Sequence, residues 1–157
     1  MILTTHALVG AVIGKNIANP WWIILVSLII HFFLDTFRHG EYFDDRTAKV
    51  RDTWWKVGLD LLVGFSIIGF FIFSNNFSGI KIENILLGVF VSIFPDSLSL
   101  FYWTFHWKWL GKIKRFHGWA HRYSKFPKYS PERQWTLRNA TNDIIISVIA
   151  ILAFILF

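Results

Sequence analysis

Five apolar stretches, roughly residues 3–17, 20–37, 54–73, 83–105 and 130–157, make up most of this 157-residue chain. A backbone placed in lipid finds no water for its N–H and C=O groups, so such stretches must close their hydrogen bonds internally, as helices. The sequence therefore predicts an all-α fold. It reads as a polytopic membrane protein of about four to five hydrophobic helices in one domain, 1–157, with a basic cytoplasmic loop carrying short helices at about 106–130. The first stretch is short against the roughly 20 residues a comfortable span needs. It carries Gly10-x-x-x-Gly14, a small-residue stripe suited to close helix contact in lipid. Pro20 sits where a second helix begins, since its missing N–H costs little there. Ser130-Pro131-Glu132 reads as an N-cap, first-turn proline and acidic residue opening the last helix.

The net charge of +6 suggests nucleic acid until its distribution is considered. Lys15 and Lys81 aside, every Lys and Arg lies in or beside two loops, around residues 38–56 and 106–138. The positive-inside rule places both loops in the cytoplasm, with the N-terminus inside and the C-terminus outside. An integral protein of a prokaryotic inner membrane is expected, in contact with anionic lipid and with no specific nucleic-acid partner. Trp54, Trp55, Trp103, Trp107 and Trp109 then form one aromatic belt, and Trp21 with Trp22 the other. The N-terminus lacks the basic region of a cleavable signal peptide, so the first helix is expected in the mature protein.

Against this apolar background stand His6, His31, Asp35, Asp60, Asp96 and Asp143. A charge near the middle of a bilayer costs about 2.5–3.5 kcal/mol on insertion scales, so such groups pair, bind ions or line a wet cavity. With the topology above, all six fall in the same, cytoplasmic leaflet. Residues there for unrelated packing reasons have no cause to share a depth, whereas the parts of one site do.

Ser27, His31, Asp35 and His39 follow one another at i, i+4 steps and share a helical face. His31-x-x-x-Asp35 gives a metal one nitrogen and one oxygen from a single helix, or equally an imidazole held by a carboxylate between helices. Phe94-Pro95-Asp96 interrupts the fourth stretch, and a proline beside a carboxylate at membrane depth suggests a cavity wall. His117 and His121, again four apart, are a familiar ligand pair if the loop folds back over the site, and two solvated histidines if it does not. Asn139 and Asp143 share a face, so they and His39 could orient ligands or simply join helices. Asp60 has no local motif and is placed as a general base or as a polar helix contact. Arg122, Arg133 and Arg138 could clamp a phosphate by their fork geometry. There is no cysteine, so any metal must take His nitrogen and carboxylate oxygen.

Thr5-His6-Ala7-Leu8-Val9-Gly10, His31-x-x-x-Asp35, Pro95-Asp96 and His117…His121-Arg122 together resemble the membrane-bound metal-dependent hydrolases grouped with zinc-dependent phospholipase C and related nucleases. The soluble relatives are all-α enzymes whose His and Asp side chains hold a zinc cluster that activates water. The resemblance implies that His6, His31, Asp35, Asp96, His117 and His121 are ligands of a divalent metal, zinc by analogy.

The function expected from residues and resemblance together is hydrolysis of a phosphoester, with a lipid as candidate substrate. Asp60 or Asp96 would accept the proton, and Arg122 or Arg138 would hold the anionic substrate. Two other readings use the same residues. A small transporter or ion-conducting subunit would need polar groups continuing through the outer half, which is nearly all Ile, Leu, Val and Phe. A scaffold would use them only to hold helices together.

Overall fold

The computed structural model of the protein describes residues 1–40, 50–121, 126 and 136–157, the side chains of 50–52 excepted. Six helices appear among them: α1 (Leu3–Asn16), α2 (Pro20–Leu34), α3 (Val50–Ser74), α4 (Gly79–Phe105), α5 (Gly111–Ala120) and α6 (Leu137–Leu156). A 3-10 turn, Lys108–Leu110, precedes α5, and no strand is found among the described residues. Three stretches, Thr53–Ser74, Gly79–Phe105 and Leu137–Leu156, are long and apolar enough to cross a membrane, which points to an integral membrane protein. Helices α1 and α2, with 14 and 15 residues, are shorter. At 1.5 Å per residue each reaches only about 21–23 Å, against a hydrocarbon core of about 30 Å. The expected opening of the last helix at Ser130-Pro131-Glu132 lies outside the described residues.

The short first helix is the centre of the bundle. It packs against α2, α3, α4 and α6, and it buries Thr4, Thr5, His6, Ala7, Leu8, Gly10, Ala11 and Gly14. Its closest neighbour is α4, and glycine is the reason. A Cβ on Gly10 would run into the Gly88 carbonyl, one on Gly14 into the Asn84 carbonyl, and one on Gly88 back into Gly10. The stripe visible in the sequence is thus half of a backbone-to-backbone contact whose other half is Gly88. Such contact is how helices associate where lipid removes the hydrophobic drive between them.

Beyond this crossing, Ala7, Leu8, Ala11, Ile68, Ile85, Val89, Ala150 and Phe154 form a buried apolar cluster. The far end of α1 is fastened by Lys15, which donates to the Phe154 carbonyl and lies over the Phe154 ring. Lys81 in turn donates to the Lys15 carbonyl. The outer surface carries the exposed apolar side chains expected against lipid, among them Leu62, Phe70, Phe73, Phe90, Ile149 and Phe157.

The polar half of the bundle lies around the start of α1. That end has N–H groups with no partner inside the helix, and Ile2 offers no side-chain cap. Carboxylates from two other helices serve instead. Asp143 of α6 accepts from the Ile2 N–H at 3.0 Å. Asp60 of α3 accepts from Leu3 N–H at 2.7 Å and from Thr4 N–H at 3.3 Å. Both negative charges also face the positive end of the helix dipole.

Candidate metal centre

Helix α2 turns Ile23, Ser27 and His31 inward at four-residue steps, so the predicted polar face is a buried one. The helix stops at Leu34, earlier than the spacing suggested. Thr36 explains the stop in part, because its hydroxyl donates to the Phe33 carbonyl at 2.6 Å and the chain tightens through Phe37 N–H to Leu34 O. Asp35 becomes the C-cap residue, and Asp35 and His39 both remain buried beyond the helix. The i, i+4 face therefore survives the end of the helix that defined it.

Asp35 is the hub. His6 of α1 places Nε2 at 3.1 Å from its Oδ1, and the amino nitrogen of Met1 is 2.6 Å from the same oxygen. Around Oδ2 stand His117 Nε2 at 3.0 Å, His31 Nε2 at 3.2 Å and His121 Nε2 at 3.2 Å. Asp96 of α4 adds Oδ1 at 3.3 Å from His117 Nε2, and its Oδ2 is buried with no hydrogen-bond partner among the described residues. Two groups can each hold a metal ion with ligand atoms within 4.8 Å of one another: His31, Asp35, Asp96 and His117, and Asp35, His39 and His121. They overlap at Asp35 alone.

The tautomers test whether a cation fits. His31 Nδ1 lies 2.7 Å from the Ser92 carbonyl, and His39 Nδ1 lies 2.8 Å from the Phe37 carbonyl. A carbonyl only accepts, so each Nδ1 carries the proton, and the Nε2 of a neutral ring is a lone pair. In a neutral His31 that lone pair stands 3.2 Å from an Asp35 oxygen, acceptor against acceptor, and Nε2 makes no hydrogen bond among the described residues. His117 Nε2 and His121 Nε2 stand 3.0 Å apart, and at most one of them can donate to the other. Charging all the rings sets like charges together, since the tilted His6 and His31 rings have centroids 4.2 Å apart and those of His31 and His117 lie at 5.3 Å. A divalent cation resolves it, taking imidazole nitrogen and carboxylate oxygen together. Burial holds the His39 imidazole well below its usual pKa, so it is neutral, the form that binds metal.

The surrounding contacts match what ligand histidines need, a fixed ring and a fixed proton on the other nitrogen. Ser99 Oγ lies 2.7 Å from His117 Nδ1, while the Ser92 carbonyl fixes His31. Both come from the stretch of α4 around Pro95, which lies inside a helix that continues through it. Proline lacks an N–H and crowds the carbonyl four residues back. The Ser92 carbonyl, in this same disturbed turn, is the one taken by His31.

Of the residues singled out from the sequence, His6, His31, Asp35, Asp96, His117 and His121 come together, and His39 joins them as a candidate ligand. Asp60 and Asp143 do not offer oxygens to this cluster and cap α1 as described. Asn139 is buried and accepts from Arg38 Nε at 2.6 Å, with Asn142 donating to the Arg38 carbonyl at 2.8 Å. Arg138 is exposed at the start of α6, and Arg122 and Arg133 lie outside the described residues. Sequence reasoning passed over Arg38, Ser92 and Ser99. Arg38 had a signal, its place between Asp35 and His39, whereas a backbone carbonyl such as that of Ser92 leaves none.

The capping role of Asp60 predicts a result of its own. Asp60→Ala leaves two N–H groups short of an acceptor and costs about 1–3 kcal/mol, read as a lower thermal midpoint in detergent. Metal per chain is expected to stay at the level of the unaltered protein. A variant with unchanged stability and no metal would place Asp60 in the centre instead.

No family model, no curated protein and no solved structure matches the chain.

Proposed function

We propose that the chain is a membrane-embedded, metal-dependent hydrolase of phosphoesters, with lipid phosphoesters as its substrate class. The observation that carries this reading is the convergence of the Nε2 atoms of His6, His31, His117 and His121 on one carboxylate. Zinc suits a donor set of imidazole and carboxylate without thiolate. Such an ion supplies a Lewis acid for the phosphoryl oxygen and lowers the pKa of water towards about 7.

The chain's own residues then divide the work. Asp35 joins the two ligand groups and sets their spacing. Asp96, 21% exposed and with Oδ2 outside any hydrogen bond among the described residues, accepts the proton of the attacking water. Asp60 is not the acceptor, because its oxygens are engaged by Leu3 and Thr4. Arg38 donates from Nε to Asn139, and in this reading its terminal nitrogens hold the anionic oxygens of the substrate. Arg138, exposed at the start of α6, serves the same charge, and Arg122 lies outside the described residues. Conduction across the membrane is disfavoured by the apolar cluster beyond His6, where Ala11, Ile85, Val89 and Phe154 close the bundle.

Elemental analysis of the detergent-purified protein, paired with hydrolysis of phosphatidate and of a chromogenic phosphodiester, tests the assignment. Stoichiometric zinc, manganese or iron is expected, with hydrolysis lost on chelation and restored by the same ion. Protein that holds no such metal, or hydrolysis indifferent to chelators, overturns it.

A further inference from the structure

A second site lies where α4 ends. The helix stops at His106, held at φ 54°, the one positive φ outside glycine among the described residues. The left-handed conformation costs an ordinary residue about 1–2 kcal/mol, and glycine would have taken it freely. Keeping an imidazole there points to a use for the side chain. His106 lines a cavity of about 390 Å³ together with Tyr102, Lys108, Gly111, Lys114 and Arg115.

Three of these residues are basic, and among the described residues no acidic side chain lines the cavity. Nor is one near in sequence, for residues 97–131 contain neither Asp nor Glu. Lys114 is steered by its neighbours, with Nζ 3.3 Å from the Trp103 ring centroid and 4.8 Å from that of Tyr102. Gly111, which opens α5, also lines the cavity, its N–H taken by the Lys108 carbonyl of the preceding 3-10 turn.

The position selects the source of that anion. The cavity follows directly on the apolar span Gly79–Phe105. Its border is marked by Phe105, Trp107 and Trp109, which stack in series with centroids 5.0 and 6.0 Å apart and are exposed. Exposed indoles in such a place belong at headgroup depth. We propose that this cavity binds the phosphate of an anionic membrane lipid, its acyl chains running down the aromatic flank of α4. This role stands independently of the metal centre and of the hydrolase reading.

Native mass spectrometry of the detergent-purified full chain, titrated with phosphatidylglycerol, phosphatidylcholine and inorganic phosphate, reads the proposal directly. Phosphatidylglycerol is expected to bind at least about tenfold more tightly than phosphatidylcholine. The triple change Lys108→Gln, Lys114→Gln and Arg115→Gln should weaken it by at least about tenfold, and the exposed Arg115→Gln alone by about threefold or more. Lys112→Gln with Lys56→Gln, both outside the cavity, should leave affinity unchanged. Equal losses in the cavity and control variants would overturn the site in favour of diffuse surface charge. Displacement of the lipid by inorganic phosphate at equal concentration would overturn the lipid as its ligand.

Discussion

Asp35→Ala protein is expected to purify without bound metal and without hydrolytic activity. The expectation follows from geometry, since Asp35 is the one residue common to both ligand groups, and four imidazole nitrogens lie within 3.2 Å of its oxygens. Removing it deprives each group of an anionic ligand and takes away the partner towards which His6, His31, His117 and His121 are turned. Loss of a Lewis acid worth several kcal/mol in the transition state lowers the rate at least about 1,000-fold. Helicity measured by circular dichroism separates this outcome from unfolding, and Asp35→Glu, which keeps the charge, is expected to recover part of the metal. Full metal occupancy in folded Asp35→Ala protein would remove the centre as drawn here.

The overlap at a single residue leads to a second expectation, that the two halves can be emptied separately. His39→Ala with His121→Ala leaves His31, Asp35, Asp96 and His117 in place, and His31→Ala with Asp96→Ala leaves Asp35, His39 and His121. Each double variant should keep roughly one of two metal equivalents, because ligands for one ion are lost while those for the other persist. On the hydrolase reading activity should fall in both, since each variant loses ligands of the centre. Elemental analysis decides the matter: simultaneous loss of all metal in both variants would mean one shared ion, and undiminished metal in either would exclude that half.

Much of this arrangement was legible in the sequence, for reasons that can be stated residue by residue. An unbroken apolar run in lipid satisfies its backbone as a helix, since barrel strands alternate apolar and polar residues, so the all-α fold followed from the apolar stretches. The shared depth of His6, Asp35 and Asp96 pointed to one site, and the structure places Asp35 and Asp96 within 3.8 Å of His6 Nε2. What depth cannot reveal is direction. Asp60 and Asp143 stand on apolar helices as Asp96 does, yet face the N–H groups of α1, a distinction made by helix rotation that no spacing within α3 or α6 encodes. Helix length was also less legible than helix existence. Polar Thr36 ended α2 early, and the Gly10–Gly88 contact let a helix of only 14 residues stand at the centre. For Arg38 its place between Asp35 and His39 was a signal, but its partners, Asn139 and Asn142, lie at separations of 101 and 104 that no local spacing reveals.

The capping of α1 by distant carboxylates also fixes an order of events during synthesis. Leu3 waits for an acceptor 57 residues downstream, and Ile2 for one 141 residues downstream. Those N–H groups therefore gain their acceptors only as α3 and then α6 pack against α1. His6 rides on that helix, so its place beside Asp35 depends on contacts with two helices that lie far along the chain.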